Sequence, residues 1–430
     1  MNDVLKIFIQ IAVPILVLGV LIMVHELGHF GVAKFFKIKV LEFWIFMGPK
    51  IFKWKRKETE YSLRVIPIGG MVRMEGEEVT SDDEGAFSNK HPLKRAAVIA
   101  AGPVMNILFA LLVVIIISGI SGYVINSVKL SDDPSSAKSA GIMNGDKILA
   151  INDVAVFDPT IDYGLFTYIK STKPIVFTVQ RQGVAQPLRI PVTPDERYLL
   201  GIQLPKSTAN PEPIEVVSEG MPAKAAGIKV GDIITAVDGN LMKSNFQTSE
   251  LIKSSAGKEL TLTIKRDKKD ITIKVTPKKE IDMSLGIRFD TSSGNPIDVL
   301  GTSVGYCVST MRSNFITIGW LVSGNVSVKE LSGPVGMVKI MGDVATYSPS
   351  FWDNLKALML TASFISLCLG VFNLLPFPAL DGSKILILIF EIFTKKKLKP
   401  EREAAISLVG LAILLSFMVF VTVMDVIKFF

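Results

Sequence analysis

Only three histidines occur in the 430 residues, and two of them, His25 and His29, stand four apart with Glu26 beside the first. On a helix, positions i and i+4 share one face, so both imidazoles reach a single ion. The H-E-x-x-H spacing suits Zn²⁺, and Glu26 stands where it takes a proton from a metal-activated water. The motif lies at the end of an apolar run from Ile7 to Val24, broken only by Gln10, Pro14 and small residues. Ionisable groups in a spanning helix are expensive and point to function. The alternative is a polar cluster that pairs with a neighbouring helix.

Two histidines leave zinc short of a third protein ligand. The stretch Gly370–Gly382 holds Asn373, Pro376, Pro378 and Asp381, and its two prolines break the third long apolar run. Non-helical backbone at membrane depth is tolerated only where it lines a cavity or packs on protein, and an aspartate there needs a partner. Asp381 meets the need, leaving the fourth position for water, as in a catalytic site. Its alternative is an aspartate at the cytoplasmic end, in water. A structural zinc would close all four positions. Cys307 and Cys368 are singletons and His91 precedes Pro92 in a polar stretch, so no fourth ligand is evident. One zinc per chain is expected.

The elements that must position these residues are membrane helices. Apolar runs cover about 5–33, 96–120, 355–375 and 403–427, each long enough for a core of about 30 Å. The first has no small-residue cleavage site and carries the metal motif, so it reads as a span, not a signal peptide. The net charge is +7, but the lysines crowd residues 34–57 and 395–399, between spans one and two and spans three and four. The positive-inside rule puts both connections in the cytoplasm and both termini outside. Basic residues that hug membrane boundaries speak for the lipid bilayer as partner and against nucleic acid. With Cys368 inside a span, a disulfide framework is not expected. His25 is nine residues from Lys34, about 13 Å along a helix, so the site lies within the bilayer toward the cytoplasm.

Between the first two spans, residues 40–78 read as strands. The paired Gly69 and Gly70 predict a hairpin over Ile66–Glu77, either a structural cap or an exposed edge that accepts an extended peptide. Asn106 in the second span is either interhelical glue or an amide that supports a metal ligand or binds substrate. From Tyr123 to about Asp290 the chain turns soluble and repeats itself. Ala140-Gly141-Ile142…Gly145-Asp146 matches Ala226-Gly227-Ile228…Gly231-Asp232, and Leu200-Gly201-Ile202 recurs as Leu285-Gly286-Ile287, an offset of about 85 residues. The string resembles strand-permuted PDZ domains, which bind chain ends or extended peptides. That resemblance makes Gly201, Ile202, Gly286 and Ile287 parts of carboxylate-binding loops. Asn314–Val322 reads as a short interfacial helix and Leu331–Gly336 as a tight turn.

H-E-L-G-H in the first span, N-x-x-P-x-P-x-x-D-G in the third and two PDZ-like modules between resemble the bacterial site-2 protease family, most closely its sigma-E-regulator type. The resemblance implies zinc on His25, His29 and Asp381, Glu26 as catalytic base, and Asn373, Pro376 and Pro378 in a segment that shapes the substrate site, Asn373 also as an oxyanion donor. It implies that the Ile66–Glu77 stretch is a membrane-reentrant loop presenting substrate as a strand. The family's G-F-G-P is here Phe46-Met47-Gly48-Pro49, which loses one glycine. The expected fold is a polytopic α-helical membrane protein with four transmembrane helices, a membrane-associated β-hairpin region and two extracytoplasmic PDZ-like α+β domains. The expected boundaries are 1–35, 36–95, 96–122, 123–206 and 207–291 for the PDZ-like domains, 292–352 for a connector, then 353–394 and 395–430. The expected function is zinc-dependent cleavage of transmembrane segments in the bacterial inner membrane, on single-pass, anti-sigma-factor-like substrates already trimmed outside, with the PDZ pair as size filter. The alternatives are clearance of signal-peptide remnants, and a non-catalytic PDZ scaffold with a structural metal.

Overall fold

A computed structural model describes residues 3–77, 81–131, 134–205, 210–398 and 400–429. The chain divides into two compact units, one made of the helices with their β-region and one of the repeated middle.

The first helix, α1 (Asp3–Phe35), is followed by two long antiparallel strands, β1 (Val40–Arg56) and β2 (Thr59–Met74), and by α2 (Pro92–Ser121). His91 caps α2 by accepting from the Leu93 N–H. Both helices are long and apolar enough to cross a membrane. The strands bend so that Ile45 pairs with both Leu63 and Gly70, while Trp54 pairs with Tyr61. Four segments thus lie side by side, and Gly70–Met74 is an edge. The expected hairpin over Ile66–Glu77 is therefore corrected. The turn is at Lys57–Glu58, whereas Gly69 and Gly70 lie inside β2, where Gly69 at φ +83° makes an irregularity and not a reversal. Ile51, Phe52, Trp54, Val65 and Ile66 on this sheet are exposed.

Among the described residues the repeated middle runs through fourteen short strands, β3 (Tyr123–Leu130) to β16 (Ile287–Ser292), interleaved with α3 (Ser136–Ser139), α4 (Pro159–Tyr168), α5 (Pro222–Ala225) and α6 (Asn245–Ser254). Strands β4 (Lys147–Ile151), β6 (Ile175–Gln180) and β7 (Leu188–Val192) form one sheet with β16 and β3. Strands β11 (Ile233–Val237), β13 (Leu260–Arg266) and β14 (Lys269–Val275) form the repeat's sheet. The repeated Gly-Asp explains itself. Asp146, 1% exposed, takes two hydrogen bonds of 2.8 Å from Arg181, which also donates to the Gly141 carbonyl at 2.7 Å. Asp232, Arg266 and Gly227 repeat the arrangement, every bond 2.7 Å. Leu285 and Ile287 pack in the core with Val128 and Ile148, whereas Leu200 packs with Ile214 and Ile228. Each Leu-Gly-Ile segment thus completes the other copy, so the second module is inserted within the first and the contiguous ranges 123–206 and 207–291 miss this exchange.

The chain continues as α7 (Pro296–Val322), α8 (Pro334–Ala345), α9 (Phe351–Asn373), α10 (Asp381–Thr394) and α11 (Pro400–Phe429). Helices α9 and α11 complete four candidate spans. The expected short helix at Asn314–Val322 is the last third of α7. Its buried face carries small and polar residues, Ser303, Ser309, Thr310 and Asn314, which an apolarity scan passes over. The Leu331–Gly336 turn leads into α8, and the Gly333 and Gly336 N–H groups there donate to buried Asp425 of α11 at 3.1 and 2.7 Å.

Candidate metal centre

Helix α1 carries His25 and His29 on one face, and the turn after α9 delivers Asp381 as the first residue of α10. His25 Nε2 lies 3.1 Å from His29 Nε2 and 3.1 Å from Asp381 Oδ2, and His29 Nε2 lies 3.4 Å from that oxygen. Zinc–ligand bonds of about 2.0–2.1 Å put tetrahedral ligands about 3.3 Å apart, so the three atoms already have the edge lengths of a zinc face. Among the described residues, these three are the one group of His, Cys, Asp and Glu side chains so gathered. Three protein donors leave the fourth position open, which is the pattern of catalytic and not structural zinc.

The surroundings fit the ion. His29 Nδ1 is 2.8 Å from the Val98 carbonyl of α2, an acceptor only, so Nδ1 carries the proton and Nε2 keeps its lone pair. The Asn106 amide lies 3.3 Å from His25 Nδ1, and its Oδ1, fully buried, has no other partner among the described residues. Turning Oδ1 toward the ring satisfies both groups and gives His25 the same tautomer. Asn106 thus links α2 to α1 at His25, a contact that both readings of this residue share. Gly102 forms the floor. A Cβ there would stand 2.4 Å from His29 Nε2 and 2.8 Å from His25 Cε1. At Gly28 a Cβ would collide with the Ala101 carbonyl oxygen at 2.2 Å, so α1 and α2 meet backbone to backbone.

Asp381 is fixed through its helix. Gly382 lets α10 start against the Leu374 and Leu375 carbonyl oxygens, each 2.3 Å from where its Cβ would be. Arg95 of α2 pairs with Glu391 at 2.9 Å, both largely buried, and Lys384 pairs with Glu77, just beyond β2, at 3.2 Å. Ala379 takes φ +77°, backbone that costs a non-glycine residue about 1–3 kcal/mol, two residues before Asp381. Asn373 closes α9 and Pro376 sits exposed in the turn. Pro378 abuts Gly410 of α11, where a Cβ would meet its carbonyl oxygen at 2.4 Å.

The strand edge reaches the same place. A Cβ on Gly70 would stand 3.1 Å from Glu26 Cγ, and one on Gly19 would strike the Pro67 carbonyl oxygen at 2.4 Å. Thus β2 runs along α1 from Gly19 to Glu26, with Gly70 beside the glutamate and Gly69 filled over by Met47. Phe46, where the family's glycine would be, holds φ +69° and lays its ring 2.9 Å from the Gly19 Cβ position. In the second unit, Gly201 at φ +80° is covered by the Met221 side chain and Gly286 at φ +76° by Ser135. A cavity of about 600 Å³ opens beside Gly201 and Ile202, lined also by Leu200, Met221 and Ile252. Gly102, Gly382, Arg95 and Lys384 escape a reading of the sequence. The small Ala100–Gly102 run signals close helix approach, but nothing local tells which imidazoles that glycine faces.

The model of peptidase family M50 matches residues 13–417 of the chain. A Clostridium acetobutylicum protein, named by inference a zinc metalloprotease, is 30% identical over 425 residues, 98% of each chain. The "Regulator of sigma-W protease RasP" of Bacillus subtilis is 29% identical over 441 residues, covering 97% of this chain and 98% of that one. Among solved structures, the PDZ domain of HtrA3 resembles a portion covering 22% of this chain and 96% of that domain, at 19% identity and a TM-score of 0.19. The protein is an integral membrane zinc metalloprotease, and with nearly its whole length matched the chain belongs to peptidase family M50, the site-2 proteases.

Proposed function

We propose that this intramembrane protease hydrolyses peptide bonds in the transmembrane segments of single-pass, anti-sigma-factor-like proteins of the bacterial inner membrane. The observation that carries the reading is the grouping of His25, His29 and Asp381 at 3.1 to 3.4 Å with Glu26 between that triangle and a β-edge. His25, His29 and Asp381 would hold zinc, which when bound would supply Lewis-acid chemistry to a water and to the scissile carbonyl. Glu26 accepts the proton of the attacking water on its carboxylate and returns it to the leaving amine. Gly70–Met74 offers backbone N–H and C=O groups to a substrate strand, replacing the i→i−4 bonds that a spanning helix gives up when it unwinds. Glycine at 70 lets that strand pass close to Glu26. Asn373 stands at the end of α9 as the donor for the developing oxyanion, and Pro376 and Pro378 keep the preceding turn open.

The lysine-rich connections support a cytoplasmic side for this end of the spans, with water reaching the site from there and both termini outside. The two PDZ-like modules then stand outside, with Gly201–Ile202 and Gly286–Ile287 as peptide loops that filter substrates by the size of their outer parts. The reading rests for its substrate class on the likeness to RasP. The test is Glu26→Gln in the full chain, assayed on a membrane-spanning reporter. Zinc content should be kept and cleavage fall by about 10²–10⁴. Unchanged cleavage removes Glu26 from the mechanism.

A further inference from the structure

Below the end of α1 lies a cavity of about 490 Å³ that the protease reading does not use. Its wall includes Lys34 from the last turn of the span, Lys37 and Lys39 from the turn into β1, and Arg56 and Lys57 from the turn into β2. Phe30, Ile38 and Tyr61 form an apolar floor. Two of the five cations are already neutralised, Lys34 by Glu58 and Lys39 by Asp83. The lysines beside Glu58 and Asp83 hold both carboxyls below their usual range, so the pairs stay ionised. Lys37, Arg56 and Lys57 have no opposite charge within 4 Å among the described residues. Lys37 and Lys57 also hold φ of 54° and 53°, left-handed backbone that a residue with a Cβ adopts only under strain. Two strained turns from different parts of the chain therefore bring unpaired cations to one concavity.

We propose that this cavity binds the phosphate headgroup of an anionic membrane lipid, held by Lys37, Arg56 and Lys57. The membrane is the source because of where the cavity lies. Lys34 lies in the last turn of the first span, and Phe35, which ends that helix, is 78% exposed and offers an apolar ring to acyl chains. A volume of a few hundred Å³ is that of a ligand site, and a guanidinium with two ammonium groups matches a phosphodiester's oxygens. Basic pockets at the cytoplasmic end of spanning helices take anionic headgroups by the same electrostatics.

The test uses the purified full chain in an uncharged detergent, titrated with short-chain phosphatidylglycerol, with glycerol phosphate and with inorganic phosphate. Each basic residue near the membrane surface contributes about fivefold, so Lys37→Asn with Arg56→Gln and Lys57→Asn should weaken phosphatidylglycerol binding on the order of a hundredfold. Asparagine tolerates left-handed backbone, which keeps the turns intact. Arg56→Gln alone, away from either strained position, should weaken binding about fivefold. Lys53→Gln with Lys55→Gln, neighbours on β1 outside the cavity wall, should leave it within about twofold. Phosphatidylglycerol should bind more tightly than glycerol phosphate or phosphate. The proposal is overturned if the triple variant binds as the parent does, or if the Lys53/Lys55 pair matters as much. Equal binding of soluble phosphate and lipid would also overturn it.

Discussion

At position 102 a single methyl group decides whether two imidazoles can meet. Alanine is the better helix former by about 1 kcal/mol, so Gly102→Ala should leave α2 at least as stable. Yet its Cβ would stand 2.4 Å from His29 Nε2, and the rings must turn away from Asp381. The expected outcome is a folded protein with zinc affinity reduced by at least about tenfold, read by competition with a chromophoric chelator; loss of an oriented ligand group typically has this size. A zinc affinity equal to the parent's would show that the rings do not rest on this floor. His25, Glu26, His29 and Asp381 were legible because their chemistry is scarce and costly in a membrane. Asn106 was legible only as a polar group needing a partner, and Gly102 not at all, because a glycine's function is the space that other residues occupy.

Among the elements, the two Gly-Asp turns are held by matching carboxylate–guanidinium forks. Burial alone would raise the Asp146 and Asp232 carboxyls, but the Arg181 and Arg266 guanidinium groups with the Met143 and Lys229 N–H bonds outweigh it and hold both below the usual range. A carboxyl depressed in the folded state contributes stability above its unfolded pKa of about 3.9, lost as pH falls further. The thermal midpoint of the parent chain should therefore drop as pH passes below about 4. In Asp146→Asn with Asp232→Asn that part of the slope should be missing. Arg181→Met leaves the Asp146 charge buried and unpaired, for which about 3–5 kcal/mol of destabilisation is expected in a denaturant titration followed by circular dichroism. The repeat was legible from its spacing, yet the exchange of Leu-Gly-Ile segments was not. Both segments read alike, and only the packing of the two cores puts Leu285 with Val128 and Leu200 with Ile214.

For the whole molecule, zinc would join the first span to the helix that follows the third. A ligand bound to the folded state stabilises it by about 2.7 kcal/mol at a hundred times its Kd. Dialysis against a strong chelator should accordingly lower the unfolding temperature of the full chain in detergent, and zinc should restore it. Asp381→Asn should show a smaller response, because a ligand is lost while α10 stays anchored through Arg95–Glu391 and Lys384–Glu77. An equal response in the variant would mean that Asp381 is no ligand.

The order of the spans, the metal-binding residue types and the doubled module follow from local sequence, since apolar run length, residue chemistry and repeat spacing are properties of neighbouring positions. The meeting of the imidazoles with a carboxylate from the far end of the chain follows only from the packing of α1, α2 and α10, because close approach depends on which small residues face one another. The strand edge at Glu26 was likewise a tertiary decision: two glycines that look like a turn on paper instead bring a continuous strand up to the glutamate.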